Sequence, residues 1–239
     1  ERHAARPYIR ELNLFKVRQM TPLLFAAWEM LSPDNFVRVL KLVSTISFRY
    51  TVICGLNTNE LEPVYHKAAK ALVTGVAMSP ADVFDHLRPI YVPDDRFARA
   101  FANKEIDTNG QRKRLAKFIL CRLEADAAGK PCDYETDTGS IEHILPENPS
   151  SEWNGFFSPD RQGDFVYRLG NLTLLESSLN RSIQNDLLLH KRAAYEQSAY
   201  RLTQDLSASA PEDWTPAAIE KRQNQMANRA THIWRSDFL

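Results

Sequence analysis

The sequence predicts a mainly α-helical protein, a helical bundle into which a small β-containing insert is built. Apolar residues recur at helical spacing over most of residues 1–130. Several of these segments open with Ser or Thr followed by Pro, the pattern of a capped first helical turn. The periodicity then breaks at 130–140, and two short apolar stretches beyond it have the length of strands.

The helices of the first half are recognised by their ends. One is predicted to begin with Thr21 as N-cap and Pro22 in the first turn. A second repeats this arrangement at Ser32 and Pro33, and Gly55 ends it. Further helices are predicted at 59–75, at 79–87 with Ser79 as the cap, and at 109–129.

The polar, turn-rich stretch 130–140 marks a predicted domain boundary. We therefore predict a helical domain at 1–130 and a second domain at 131–239. The elements predicted in the second domain are strands at Ile141–Leu145 and Asn171–Leu175, helices at about 177–206, and a last helix from Thr215 and Pro216 to about Trp234.

The composition is that of a folded chain, with 239 residues of which 44% are hydrophobic and 25% charged. The formal net charge is zero, so any binding of DNA must come from a local basic face. No signal peptide and no apolar run long enough for a membrane span is visible, so no membrane partner is expected. Because the sequence opens without Met, we expect it to be a fragment of a longer protein.

The three cysteines, Cys54, Cys121 and Cys132, are far apart and form no CxxC pair. This pattern indicates a reduced, cytoplasmic chain without a zinc site built from cysteines.

The insert carries polar residues at a spacing that suits chemistry. Glu142 and His143 are consecutive in the first predicted strand, so their side chains point to opposite faces. Pro146 stiffens the exit from this strand. Asn171 lies in a Gly-Asn turn before the second strand, and Asn180 follows nine positions later in a helix. A strand, strand and helix in succession can bring four such side chains together.

The stretches EHILP (142–146) and LGNLTLLESSLN (169–180) resemble the HNH, or ββα-metal, nuclease motif. These two stretches most resemble the C-terminal domain of GmrSD-type modification-dependent restriction enzymes. SspE-type proteins of phosphorothioate-dependent phage defence also carry this domain. The resemblance extends over residues 8–130, including the Arg49-Tyr50 pair. It implies a bacterial antiviral nuclease acting on DNA. It also implies an N-terminal ParB-like NTPase domain in the same polypeptide.

The resemblance implies a role for each matching residue. His143 corresponds to the general base, Glu142 to the acid that binds metal, and Asn180 to the second metal ligand. Asn171 corresponds to the residue that braces the loop and orients the histidine. The residues expected near phosphate or DNA are Arg181, Asn185, Lys191 and Arg192.

The expected chemistry is hydrolysis of a phosphodiester with one divalent ion. Oxygen ligands favour Mg²⁺ or Mn²⁺ over zinc, and a neutral imidazole near pH 7 can take a proton from water. One such site cuts one strand, so a lone domain should nick DNA. No structural zinc is expected, because Glu176 and Leu179 stand where many HNH enzymes have cysteines. A second departure from the common pattern is Glu142, where many of those enzymes have Asp.

Each residue alone has a plainer interpretation. A lone histidine in an apolar stretch is usually a core residue, and Asn180 alone would be a helix cap. Two other hypotheses stay open: a degenerate, non-catalytic helical module that binds DNA or a partner, and an RNase. The sequence indicates no oligomeric state.

Overall fold

The computed structural model describes residues 2–211 and 213–239, and this part of the chain is mainly helical, as predicted. It divides into two compact units. The first contains the residues up to Ala100 together with Trp234–Leu239, and the second contains Phe101–Ile233. These units are defined by contacts within the fold. The division into domains at 1–130 and 131–239 stays a prediction. No helix in the described residues combines the length and apolar content needed to cross a membrane.

Six helices occupy the first hundred residues. In chain order they are α1 (Arg2–Phe15), α2 (Thr21–Met30), α3 (Pro33–Ser47), α4 (Leu61–Val73), α5 (Pro80–Leu87) and α6 (Asp94–Ala102).

Two of the three predicted caps in this region are confirmed. The Ser32 hydroxyl accepts from the Asn35 N–H at 3.4 Å, and Ser79 forms a reciprocal capping box with Asp82. The cap predicted at Thr21 is wrong, because Thr21 is already helical and its hydroxyl donates to a preceding main-chain carbonyl. A Ser or Thr before Pro therefore gave the correct segment in each case and the correct cap in two.

The long helix predicted to end at Gly55 has two parts. After α3, residues Phe48–Ile53 continue as a π-helix, and Gly55 then turns the chain in the left-handed region at φ 59°. The wide turn carries Arg49, which is fully buried. Its guanidinium donates to the carbonyls of Val92 and Trp234, both at 2.9 Å. Arg49 therefore ties together three segments of the first unit.

The second unit is built around a two-stranded sheet. Its elements in chain order are α7 (Gly110–Ala128), β1 (Ser140–His143), α8 (Gly163–Val166), β2 (Leu172–Leu175), α9 (Ser177–Ile183), α10 (Leu188–Glu196), α11 (Arg201–Ser209) and α12 (Pro216–Ile233). The predicted strand–strand–helix order is confirmed, with each strand slightly shorter than predicted.

The sheet depends on the helices that surround it. The antiparallel strands pair Ser140 with Leu175 and Glu142 with Thr173. A two-stranded sheet is marginal on its own, and here α7 and α11 pack on β2 while α9 packs on β1. The buried apolar cluster of this region includes Ile144, Leu145, Trp153, Leu175, Tyr195 and Trp214.

The turn before β2 lies very close to α12. The Gly170 N–H donates to Gln223 Oε1 at 3.1 Å, and a Cβ at Gly170 would lie 2.3 Å from the Ile219 carbonyl oxygen. Only glycine permits this approach. The helix α12 therefore fixes the position at which the chain enters β2.

We expect Gly170→Ala to lower the free energy of unfolding by about 1–3 kcal/mol, because the added methyl group forces backbone apart in a packed region. Urea unfolding followed by circular dichroism would measure the change. Gly155→Ala is the matched control, since a Cβ there meets nothing within 4 Å. Equal stability of the two variants would contradict the close approach of α12.

Candidate active site

A polar cavity of about 490 Å³ opens beside β1 in the second unit. The predicted site residues that line it are Glu142, His143, Asn180, Arg181 and Asn185. The structure therefore brings together five of the eight residues that the sequence singled out.

The imidazole of His143 lies at the wall of this cavity with 13% of its side chain exposed. Burial lowers the pKa of His143 below its ordinary value of 6.5, and the Glu147 carboxylate opposes this shift. The ring is therefore neutral at pH 7, which is the protonation state of a general base.

A short hydrogen-bonded chain fixes the orientation of this imidazole. The Thr108 hydroxyl lies 3.1 Å from His143 Nε2 and donates to Glu147 Oε1 at 3.2 Å. A threonine has one hydroxyl proton, so Thr108 must accept from Nε2, which then carries the proton. The basic lone pair of His143 is on Nδ1. Tyr167 also donates to Glu147 Oε1, at 3.2 Å, and steadies the end of the chain.

The Glu142 carboxylate is buried behind the histidine. Its Oε1 accepts from Lys191 Nζ at 2.7 Å and from the Tyr195 hydroxyl at 2.9 Å. Burial raises the pKa of Glu142, while Lys191 and Tyr195 oppose that shift. Both of these bonds use the same oxygen, Oε1. Since Glu142 lines the cavity, Oε2 is its oxygen for an additional ligand.

The side chain of Asn171 holds the turn that follows β1. Its Oδ1 accepts from the Leu145 N–H at 2.8 Å and from Trp214 Nε1 at 3.0 Å. Its Nδ2 donates to the carbonyls of Leu145 at 2.9 Å and Val166 at 3.0 Å. These four bonds use the full capacity of an amide. Its own carbonyl also accepts from the Ile144 N–H, the residue next to the histidine.

Asn180 presents an amide to the same cavity. Its Nδ2 donates to Ser140 Oγ at 3.0 Å and to the Ile141 carbonyl at 3.3 Å. Both amide protons are thus held by β1, and Oδ1 is the atom that can bind a ligand. Asn180 belongs to α9, so the strand–helix junction sets its distance from β1.

The four residues predicted near phosphate separate into two pairs. Arg181 and Asn185 are exposed and line the cavity. Lys191 is buried, and its ammonium contacts Glu142 and the carbonyls of His143 and Ile144.

Arg192 likewise has internal partners, since it donates to the carbonyls of Ser207, Ala210 and Pro211. Both cations therefore have internal partners: Lys191 neutralises a buried carboxylate and Arg192 binds the end of α11. Their expected contact with phosphate stays a prediction.

A comparison with protein families gives a match over most of the second unit. A family model described as GmrSD restriction endonucleases, C-terminal domain, matches residues 91–229, which is more than half of the chain. The chain belongs to this family. Among curated proteins, none matches the chain. GmrSD membership assigns a restriction-endonuclease-type function, that of a nuclease and hydrolase, for which DNA is the expected substrate.

The donor atoms of this GmrSD domain fit a hard divalent ion. Glu142 and Asn180 both line one polar cavity, and each has an oxygen donor in its side chain, a carboxylate and an amide carbonyl. Ions such as Mg²⁺ commonly use only one or two protein carboxylates and complete their coordination with water and substrate phosphate. Two protein oxygens are therefore a sufficient anchor.

Three residues of the GmrSD site escaped the sequence reasoning. Glu147 follows His143 by four positions in the same stretch, so its proximity could have been noticed. Thr108 comes from a segment 35 residues earlier and had no local signal. Lys113 belongs to a basic run in the first turns of α7, and such runs are ordinarily solvated helix faces, yet it lines the cavity.

We expect Asn171→Ala to destabilise the domain, at about 1–3 kcal/mol for each buried group that loses its partner. The Leu145 N–H and the Trp214 indole are the donors that lose an acceptor. Urea unfolding measures the loss. Asn154→Ala is the control, because Asn154 is exposed and should change stability by less than about 0.5 kcal/mol. A variant at 171 as stable as this control would contradict the bracing role.

Proposed function

We propose that the chain is a metal-dependent DNA endonuclease of the HNH type, with His143 as general base. The observation that carries the proposal is a neutral, oriented imidazole that shares one polar cavity with two oxygens available to an ion, Glu142 Oε2 and Asn180 Oδ1. Phosphodiester hydrolysis needs this combination of a base and charge neutralisation at the phosphate.

The residues of the chain act on water and on the phosphate. His143 Nδ1 takes a proton from the attacking water, whose oxygen forms a bond to phosphorus as the bond to the 3′ oxygen breaks. Thr108 and Glu147 hold the other ring nitrogen, and the Glu147 carboxylate stabilises the imidazolium that results. The products are a 5′-phosphate and a 3′-hydroxyl.

Glu142 and Asn180 would hold the ion. A bound Mg²⁺ or Mn²⁺ supplies positive charge to the phosphate and to the leaving oxygen. The pair with Lys191 keeps Glu142 Oε1 in place, so the carboxylate offers its other oxygen in a fixed direction.

Lys113 and Arg181 supply positive charge for the DNA backbone at this cavity. Because the chain has zero net charge, it can attract DNA only through local basic groups. Lys113 and Arg181 are such groups at the cavity. One cavity of this kind cuts one strand, so we propose nicking as the activity of the domain. The resemblance adds a bacterial, cytoplasmic setting in phage defence, with modified DNA recognised by a ParB-like NTPase domain.

A second candidate is a non-catalytic module that binds DNA. One contact favours it: the ammonium of Lys191 already neutralises Glu142, which reduces the negative charge that would attract an ion. Such a module would bind DNA and leave it intact under every metal condition. An RNase would instead cleave RNA in preference to DNA in a side-by-side digestion.

We expect the wild-type chain to relax supercoiled plasmid in the presence of Mg²⁺ or Mn²⁺ and to lose this activity with a chelator. His143→Ala should lower the rate by about 10²–10⁴-fold, the usual effect of removing a general base. Gel separation of supercoiled, open-circle and linear plasmid measures it. His190→Ala is the control, since His190 is exposed on α10 and should leave the rate unchanged. Equal nicking by the His143 variant and wild type would remove the proposal.

We expect nicking to decline with decreasing pH only below pH 6.5, because burial holds the pKa of His143 under its ordinary value. Glu147→Gln should shift this decline to still lower pH, because the carboxylate that raises the pKa is gone. Initial rates between about pH 5 and 8 would measure both profiles. The exposed Glu152→Gln is the control. A decline that stays in place in the Glu147 variant would contradict the coupling.

A further inference from the structure

Two cysteines and an aspartate meet at one point of the second unit, outside the nuclease cavity. The ligand atoms of Cys121, Cys132 and Asp137 all lie within 4.8 Å of one another. Cys121 is buried on α7, and the other two belong to the loop between α7 and β1. The spacing of the cysteines argued against a zinc site, and the return of this loop onto α7 brings them together.

The separation of Cys132 and Asp137 suits a tetrahedral zinc ion. With zinc–sulfur bonds of about 2.3 Å and zinc–oxygen bonds of about 2.0–2.2 Å, neighbouring ligand atoms lie roughly 3.5–3.8 Å apart. Cys132 Sγ lies 3.8 Å from Asp137 Oδ2. Thiolate ligands select zinc over the hard ions that suit the nuclease cavity.

The carboxylate of Asp137 is already oriented by other residues. Tyr200 donates to Oδ1 and Oδ2, both at 3.0 Å, and the Gly139 N–H donates to Oδ1 at 2.9 Å. Lys117 donates to the Asp137 main-chain carbonyl at 2.6 Å. Oδ1 thus accepts from Gly139 and Tyr200, while Oδ2 shares the Tyr200 hydroxyl and lies beside Cys132 Sγ. Partners outside the metal sphere commonly orient a ligating carboxylate in this way.

The charges also balance at such a site. Two thiolates and one carboxylate carry three negative charges, of which Zn²⁺ offsets two. Lys117 Nζ, 3.4 Å from Asp137 Oδ1, offsets the third.

We propose that Cys121, Cys132 and Asp137 bind one zinc ion, with water in the fourth position. The ion joins the middle of α7 to the chain three residues before β1 begins. It would therefore hold in place the approach to the strand that carries the histidine.

The test is metal analysis of the whole chain, without DNA, so its result is separate from that of the nicking assay. Protein purified under reducing conditions without chelator is expected to contain about one zinc per chain by mass spectrometry. Titration of the zinc-free protein with Co²⁺ is expected to produce a thiolate-to-cobalt absorption band.

The variants address single ligands. Cys132→Ser and Asp137→Asn should abolish the cobalt band or weaken binding by at least about tenfold, and Tyr200→Phe should weaken it about 10–100-fold. Cys54→Ser is the control, because Cys54 belongs to the first unit and should bind as wild type. Wild-type protein with neither zinc nor a cobalt band would overturn the proposal. A Cys121–Cys132 disulfide in metal-free protein, or unchanged binding in Cys132→Ser, would also overturn it.

Discussion

The geometry of the site depends on one amide group. The side chain of Asn171 makes four hydrogen bonds, to the main chain of Leu145 and Val166 and to the indole of Trp214. Trp214 belongs to the buried apolar cluster of the second unit. A buried amide with full partners permits one arrangement of its neighbours, because any shift would leave a polar group unpaired. This arrangement also restricts the position of His143 at the end of β1. The close packing of α12 against Gly170 restricts it further.

Opposite electrostatic conditions meet within two consecutive residues. Both residues line the cavity, but Glu142 is almost fully buried and compensated by Lys191, whereas His143 is kept neutral by its partial burial. The alternation of side chains along a strand makes this separation possible. Lys191 also binds the carbonyls of His143 and Ile144, so the cation that balances the carboxylate also anchors the backbone at His143. Such buried pairs specify a position at the cost of desolvation.

The sequence predicted much of the local structure correctly, but the contacts between residues far apart in the chain could not be predicted from it. Caps at Ser32 and Ser79 and the order of strands and helix follow from short-range patterns, and the spacing of the histidine and asparagines identified the family. The environment of Lys191 could not be read in this way, because its carboxylate partner lies 49 residues earlier. A basic residue near a nuclease motif suggests a contact with phosphate. Only the fold shows that Lys191 lies against the buried carboxylate of Glu142. Thr108 is a similar case, since a threonine before α7 has no signature of its own.

The contact between Thr108 and the histidine bears on how the activity could be moved to another protein. A fragment that begins at the turn-rich stretch near residue 131 would keep the whole strand–strand–helix motif and would lose the Thr108 hydroxyl that contacts His143. It would also lose Lys113 from the wall of the cavity. The smallest transplantable piece that keeps both must start before α7 and extend through α12. In this chain the recognisable motif is thus shorter than the set of residues that surround the cavity, and a graft designed from the motif alone would transfer an incomplete cavity.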